Sequence, residues 1–255
     1  MTAFFAIENL SVRFGGLKAI DDFSMQVEAG TIHALIGPNG AGKSTVFNCI
    51  SRFCRPQAGA IRFDGRDLLS LAPHGIVAAG IGRTFQNLEL LRRMTVLENV
   101  LVGQTTRIPH YLPFGPSPAR NRAEATAVAE AEAILEETNL AVYRDTPAGD
   151  LDFGHQKLLD LARALAGRPR LLLLDEPAAG LRNREISFVD QLLLKLARSR
   201  GLTIILVEHV MPLVMSVADR ITVLSFGQKI AEGSPAEIRR HPLVIEAYLG
   251  KEADA

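Results

Sequence analysis

Gly37-Pro38-Asn39-Gly40-Ala41-Gly42-Lys43-Ser44 decides how this chain reads. The octet fits G-x-x-x-x-G-K-[ST] at every fixed position. It lies between the apolar run Thr31 to Ile36, which reads as a strand, and Lys43 to Ser51, which reads as a helix. Strand, glycine loop and helix in that order is the setting in which this pattern holds phosphate. The glycines let successive backbone N–H groups turn inward, and the helix N-terminus adds positive potential. Lys43 is expected at the β and γ phosphate oxygens, the Ser44 hydroxyl on Mg2+, and Thr45 beside the α-phosphate. A chance match in such a chain has odds of about one in a hundred before the context is counted, so a glycine loop without function is set aside.

A second run supplies carboxylates. Leu171-Leu172-Leu173-Leu174-Asp175-Glu176 reads as a central parallel strand buried on both faces, and it delivers acids to the strand's C-terminal end, where open α/β sheets bind ligands. Asp175 is expected to hold Mg2+, usually through water, and Glu176 to accept a proton from attacking water. The bland alternative, a strand ending in a solvated acidic turn, loses weight beside the phosphate loop. Thr203 to Val207 is another buried strand, followed by Glu208-His209. A lone histidine is more often structural than catalytic, but His209 at a strand end beside the γ-phosphate position reverses that preference. Gln86, after Arg83-Thr84-Phe85, is weaker taken alone.

Between these motifs the patterning alternates. Phe4 to Val12 and Phe23 to Val27 have β character, and Ala60 to Phe63 with Asp64-Gly65 suggests a hairpin. Leu68 to Gly80 reads as a short helix, and Ile81 to Gln86 leads into a loop. Five prolines and glycines between Thr105 and Arg122 argue against a long regular element there. Ala123 to Asn139 is strongly helical, with Asn121 and Glu124 as its start signal. Another helix follows Gly154, carries Leu158, Leu161, Ala162 and Leu165 on one side, and ends near Gly167. Glu185 to Ser199 is an amphipathic helix, and Ile221 to Phe226 with Gln228 to Glu232 forms a closing hairpin. Residues 87–151 are thus expected as a helical subdomain within an α/β core made of 1–86 and 152–255.

Composition bounds the rest. With 255 residues and 47% hydrophobic content the chain supports one large α/β domain. Its formal net charge of +0 gives no general attraction to nucleic acid or anionic lipid. No apolar run reaches the ~20 residues a membrane span needs, and Met1 to Leu10 lacks signal-peptide character. For a membrane role, the expectation that follows is a peripheral subunit. Cys49 and Cys54 match no metal spacing and read as buried or half-buried thiols.

In their order, Gly37–Ser44, Gln86, Leu151–Gln156, Asp175-Glu176 and His209 resemble the ABC ATPase family over essentially the whole chain. The resemblance implies a P-loop core with an N-terminal antiparallel β subdomain and an inserted α-helical subdomain. It implies ATP and Mg2+ as ligands and a head-to-tail pair of ATPase subunits, identical or not. Phe14 sits where the family stacks an aromatic ring on adenine, the alternative being an ordinary core residue. Gln86 would bind Mg2+ or the attacking water. Asp152, Gly154 and Gln156 in Leu151-Asp152-Phe153-Gly154-His155-Gln156 would act on the partner's nucleotide, and Ala178-Ala179-Gly180-Leu181 would line the seam. Arg13-Phe14-Gly15-Gly16-Leu17, Gly82 to Gln86, Met94 to Val100, Glu176 to Leu181 and Ile245 to Gly250 look most like ATP-binding subunits of branched-chain amino-acid importers. Those work with two transmembrane permeases and a periplasmic solute-binding protein, and related subunits serve urea or amides.

Two departures stand out. The family's signature has serine where this chain has Asp152. Aspartate is an equally good helix N-cap, but two unit charges ~4 Å apart repel by about 4 kcal/mol at an effective dielectric of 20. Asp152 must then turn aside, be protonated, or belong to the weaker signature of an asymmetric dimer. Arg182 stands where aspartate or asparagine is usual. Two other functions compete. A soluble ABC ATPase acting on DNA or ribosomes would carry a second ATPase domain or coiled-coil arms, which this chain lacks. A small-molecule kinase or switch GTPase explains the phosphate loop but not the later motifs, and no Asn-Lys-x-Asp segment is present.

Overall fold

Ile32–Ile36, Leu171–Asp175 and Thr203–Val207 are buried at every position, as strands must be when both faces of their sheet are covered. In the computed structural model, which describes residues 3–107 and 118–249, these are β3, β7 and β8 of a six-stranded sheet. With β6 (Ile81–Arg83), β9 (Arg220–Ser225) and β10 (Gln228–Gly233) the order is β10-β9-β3-β8-β7-β6. All neighbours are parallel except the hairpin of β9 and β10. A second sheet is antiparallel, in the order β2-β1-β4-β5, and contains β1 (Phe5–Phe14), β2 (Leu17–Val27), β4 (Ala58–Phe63) and β5 (Arg66–Asp67).

The period-two geometry of the apolar strands sorts their side chains into two cores. Leu172, Leu174, Ile204 and Leu206 face a helical layer that includes α3 (Val96–Gly103), α4 (Pro118–Glu137), α5 (Phe153–Ala166) and α6 (Asn183–Arg200). Leu171, Leu173, Ile205 and Val207 face α1 (Lys43–Ile50) and the antiparallel sheet, where Phe5, Phe23, Phe47 and Phe63 are fully covered. A third cluster packs Ile36, Ile221 and Val223 under α7 (Met211–Val217), α8 (Pro235–Ile238) and α9 (Pro242–Leu249). Each fully buried leucine in these layers contributes roughly 1.5–3 kcal/mol. Cys49 is buried and Cys54 half-buried, both free thiols; burial, with Cys54 beside it, pushes the Cys49 thiol up to about 12. No helix among the described residues is long and apolar enough to cross a membrane.

Several boundaries differ from the sequence reading. Leu68 to Gly80 is not one helix: a 3-10 turn at Leu68–Ser70 is capped by Asp67, whose carboxylate accepts the Leu69 N–H at 2.9 Å, and α2 (Gly75–Ala78) follows separately. Pro73 stands between them and cannot continue a helical hydrogen-bond ladder. Helix α4 starts at Pro118 rather than Asn121, because proline suits a first turn whose N–H groups have no helical partner. The proline-rich stretch is therefore helical from 118 onward, while residues 108–117 lie outside the described residues. Strand β2 reaches back to Leu17, and α7, α8 and α9 lie in segments given no element from sequence. Helix α8 did carry a signal: Ser234 and Glu237 form a capping box, with the Glu237 carboxylate accepting the Ser234 N–H at 2.7 Å.

Inside β3, His33 is 1% exposed and its Nε2 lies 2.8 Å from the Thr222 hydroxyl of β9. Burial is the main cause that lowers its pKa from 6.5 to about 4. Between those values the unfolded chain binds a proton that the folded chain refuses, so stability is present above about pH 6.5 and is lost as the pH falls toward 4. The expected loss is up to about 3 kcal/mol. His33→Gln should flatten that part of the pH dependence in urea titrations between pH 7 and about 4.

Candidate nucleotide-binding and hydrolysis site

The parallel strands bring together side chains far apart in sequence. The phosphate loop leaves β3 and enters α1. Two of its glycines are required by space as well as by angle. A β-carbon on Gly37, at φ +152°, would lie 2.0 Å from the Leu224 carbonyl oxygen, and one on Gly42, at φ +108°, would lie 2.5 Å from the Ile20 side chain. Pro38 is half-buried, Asn39 and Gly40 are exposed at the tip, and Ala41 is buried. The Ala41 carbonyl accepts the Gly227 N–H at 2.9 Å, so the β9–β10 turn braces the loop from behind. Lys43 is 8% exposed, and its ammonium donates to the Gly37 and Pro38 carbonyls at 2.7 and 3.0 Å. That holds the charge inside the curve of the loop. Ser44 is exposed and Thr45 half-buried on the first turn of α1. This turn has no acidic residue and no side-chain cap, which leaves its positive end without a competing negative charge of its own.

Asp175 ends β7 and is 4% exposed; its backbone N–H donates to the Thr84 hydroxyl at 3.2 Å, and its carboxylate lies 3.5 Å from the Arg83 guanidinium. Burial raises its pKa, Arg83 opposes the rise and the neighbouring Glu176 adds to it. Glu176 adopts a left-handed backbone, φ 51°, which turns its side chain out of the strand. Its Oε2 accepts the Gln86 amide at 3.1 Å, and its Oε1 lies 3.6 Å from Nδ1 of His209, a half-exposed ring. The structure thus gathers Gln86, Glu176 and His209 into one cluster beside Asp175. A hydroxyl at Ser44 and a buried carboxylate at Asp175 are hard oxygen donors of the kind Mg2+ selects, with phosphate and water completing its shell. Among the described residues no set of three His, Cys, Asp or Glu is grouped to bind a metal by itself, which suits an ion that shares its ligands with phosphate.

Two residues of this region escaped the sequence reading. Glu208 is fully buried, and its carboxylate accepts three backbone N–H groups: Ala178 at 2.8 Å, His209 at 2.7 Å and Val210 at 3.2 Å. It ties the loop after β7 to the loop after β8. An acid directly after four apolar residues, Ile204 to Val207, was the available signal. Arg83 is enclosed by the rings of Phe47, Phe53 and Phe85, at 5.6, 5.8 and 4.9 Å from their centres. It donates to the Phe47 carbonyl, the Ser51 hydroxyl and the Asn48 amide at the end of α1, so it joins the phosphate-loop helix to Asp175.

The remaining sequence candidates lie outside this cluster, Phe14 at the β1–β2 turn and Asp152, Gly154 and Gln156 at the start of α5. Phe14 is 53% exposed at the β1–β2 turn, so it is not a core aromatic. Asp152 is the N-cap of α5: its Oδ1 accepts the His155 N–H at 2.9 Å and lies 2.8 Å from His155 Nδ1. The His155 backbone N–H is the leading cause that lowers the Asp152 pKa, so the carboxylate is ionised and folded back onto its own helix. The Gln156 amide donates to the Leu151 carbonyl at 2.8 Å. A β-carbon on Gly154 would lie 2.6 Å from the Glu185 carboxylate, and one on Gly180 would lie 2.8 Å from the Phe153 ring. Glu185 also accepts the Arg182 N–H at 2.7 Å. Residues 152–156 therefore pack on the loop that follows β7.

A family model described as ABC transporter matches residues 20–179, a span that holds the phosphate loop, Gln86, the 151–156 segment and the Asp175-Glu176 pair. The chain belongs to the ABC transporter ATP-binding family. A second model, the branched-chain amino acid ATP-binding cassette transporter, matches residues 228–254. The high-affinity branched-chain amino acid transport ATP-binding protein BraF of Pseudomonas aeruginosa is 43% identical over 96% of this chain and 97% of its own length. Among solved structures, an ATP-binding cassette of an ABC transporter in its ADP conformation superposes with a TM-score of 0.85 at 33% identity, covering 98% of this chain and all of that one. A dimeric ATP-binding cassette in a post-hydrolysis state, bound to ADP and Pi, gives a TM-score of 0.76 at 25% identity over 91% of this chain and 98% of that one.

Glu208→Leu leaves three loop N–H groups without their acceptor. The expected cost is about 2–4 kcal/mol in denaturant titration, together with a large loss of ATP turnover because the loops after β7 and β8 lose their shared anchor.

Proposed function

We propose that this chain is the ATP-hydrolysing subunit of an importer for branched-chain amino acids, acting from the cytoplasmic face of a membrane. The observation that carries hydrolysis is the convergence of Gln86, Glu176 and His209 at the ends of adjacent parallel strands. The solute class is supported by the match of residues 228–254 and by the likeness to BraF over nearly the full chain.

In this reading Gly37 to Gly42 wraps the triphosphate with backbone N–H groups, Lys43 neutralises the β and γ oxygens, and Thr45 reaches the α-phosphate side. Phe14 offers its exposed ring to adenine. Ser44, Gln86 and, through water, Asp175 would hold Mg2+, which when bound draws charge from the phosphates and favours the leaving group. Glu176 accepts the proton of the attacking water. Gln86 and His209 fix that water and the Glu176 carboxylate in line with the γ-phosphate. Arg83 keeps Asp175 oriented from the side of α1. Residues 87–151 form a helical subdomain set into the core of 1–86 and 152–255, and transmit the nucleotide state to two permeases that receive solute from an extracytoplasmic binding protein.

The working unit is a head-to-tail pair of such subunits, supported by the dimeric relative of similar fold. Asp152, Gly154 and Gln156 then face the nucleotide of the partner. The ionised Asp152 carboxylate would weaken that half of the interface, since it adds negative charge where phosphate must approach.

Glu176→Gln is expected to keep ATP binding and to reduce turnover by about a hundredfold or more; substantial residual hydrolysis in a phosphate-release assay would assign the base elsewhere. Asp152→Ser should raise the ATPase rate of the assembled transporter several-fold, and an unchanged rate would remove the charge-repulsion account.

A further inference from the structure

Helix α5 carries two ionisable side chains on its inward face. Lys157 and Asp160 are three residues apart and share one side of the helix; they are 8% and 2% exposed, between leucines of the main core. Charges are kept in such a place only when they are paired and hydrogen-bonded. Each of these holds the backbone of a hydrolytic loop. The Lys157 ammonium donates to the Glu176 carbonyl at 2.9 Å. The Asp160 carboxylate accepts the Phe85 N–H at 3.2 Å, while Arg163 donates to its other oxygen at 2.7 Å. Phe85 precedes Gln86, and the 3.1 Å bond between Gln86 and Glu176 closes the circuit.

Glu176 needs external support because its left-handed backbone, φ 51°, is unfavourable for a residue with a side chain. A charge-assisted bond to its carbonyl is stronger than a neutral one. Burial lowers the Lys157 pKa, and Asp160, Glu208, Glu176 and Asp175 all oppose that effect. Lys157 thus adds to Arg83, which pairs with Asp175, and Arg163, which pairs with Asp160, in balancing the acids of this region. At the N-terminal end of the helix, the Lys157 ammonium lies 5.7 Å from the centre of the Phe153 ring, which abuts Gly180.

We infer that Lys157 and Asp160 are positioning residues that lock the Glu176 and Gln86 loops to helix α5, so that movement of the 152–156 end shifts the hydrolytic pair of the same chain. In a paired assembly this makes one subunit's hydrolysis sensitive to what its own signature segment meets. The inference rests on the reading of Glu176 and Gln86 as hydrolytic residues.

The test uses the full-length chain and three measurements: steady-state ATPase kinetics, equilibrium binding of a fluorescent ATP analogue, and hydrogen exchange of peptides covering 84–88 and 175–181. Lys157→Met, of similar length without charge, should lower kcat about tenfold or more with KM and nucleotide affinity within about twofold, and should speed exchange over 175–181. Lys157→Arg should recover most of the lost kcat. Asp160→Leu should act similarly through 84–88, and Asp160→Asn, which keeps an acceptor for the Phe85 N–H, should act more mildly and serves as the fallback if the leucine variant does not fold. Wild-type kcat in Lys157→Met and Asp160→Asn overturns the inference. So does a loss that tracks unfolding, with exchange faster along all of α5 and no rescue by Lys157→Arg. Glu176→Gln separates the two layers: if it turns over normally, the catalytic reading fails; if it is inactive while the Lys157 and Asp160 variants are not, only the linkage fails.

Discussion

A parallel sheet with apolar side chains on both faces can present polar chemistry only at its ends, and that constraint organises the molecule. Strands β3, β8 and β7 are buried along their whole length, so the candidate site residues stand where each strand stops: Gly37 after β3, Glu208 and His209 after β8, Asp175 and Glu176 at β7. Strand β6 adds Thr84 and Gln86 beside β7. Because these strands are neighbours, the sheet order sets the order of the chemistry across the site. The helical layer on one face and the antiparallel sheet on the other are what make such strands stable.

The chain treats two of its helix N-termini in opposite ways. The start of α1 has a glycine cap and no acidic side chain in its first turn, so its partial positive charge is left for an incoming anion. The start of α5 is already answered by Asp152, which takes the His155 N–H and lies against the His155 ring. The two caps differ in backbone as well as side chain: Gly42 is left-handed at φ 108°, and Asp152 is extended at φ −66°. An anion approaching α5 meets a carboxylate in the position where it would otherwise meet bare amides.

Much of this was legible in the sequence because the strongest signals are local. The glycine loop, the Leu171–Glu176 run and Thr203–Val207 are contiguous, and the burial of the two strands follows from their apolar composition. Gln86 stood out only through its order relative to those motifs. The roles of Glu208 and Arg83 were not legible, since one depends on amides from two separate loops and the other on three rings and the end of α1. Helices α7 and α9 are short and lack a long amphipathic repeat, and α7 is held by packing in the third cluster rather than by caps. Leu68 to Gly80 failed as one helix because a single proline outweighs the propensity of its neighbours, whereas Pro118 at a helix start does not interrupt anything.

The turn between β9 and β10 has a practical consequence. Phe226 at its tip is 88% exposed, and an exposed hairpin tip is ordinarily a safe place for an affinity tag, a dye or an inserted peptide. Here the next residue, Gly227, donates to Ala41 of the phosphate loop and accepts from Asp21 of β2, with no room for a side chain beside Ala19. A label anchored at this hairpin would therefore press on the phosphate loop, so exposure alone does not make the tip a neutral attachment point.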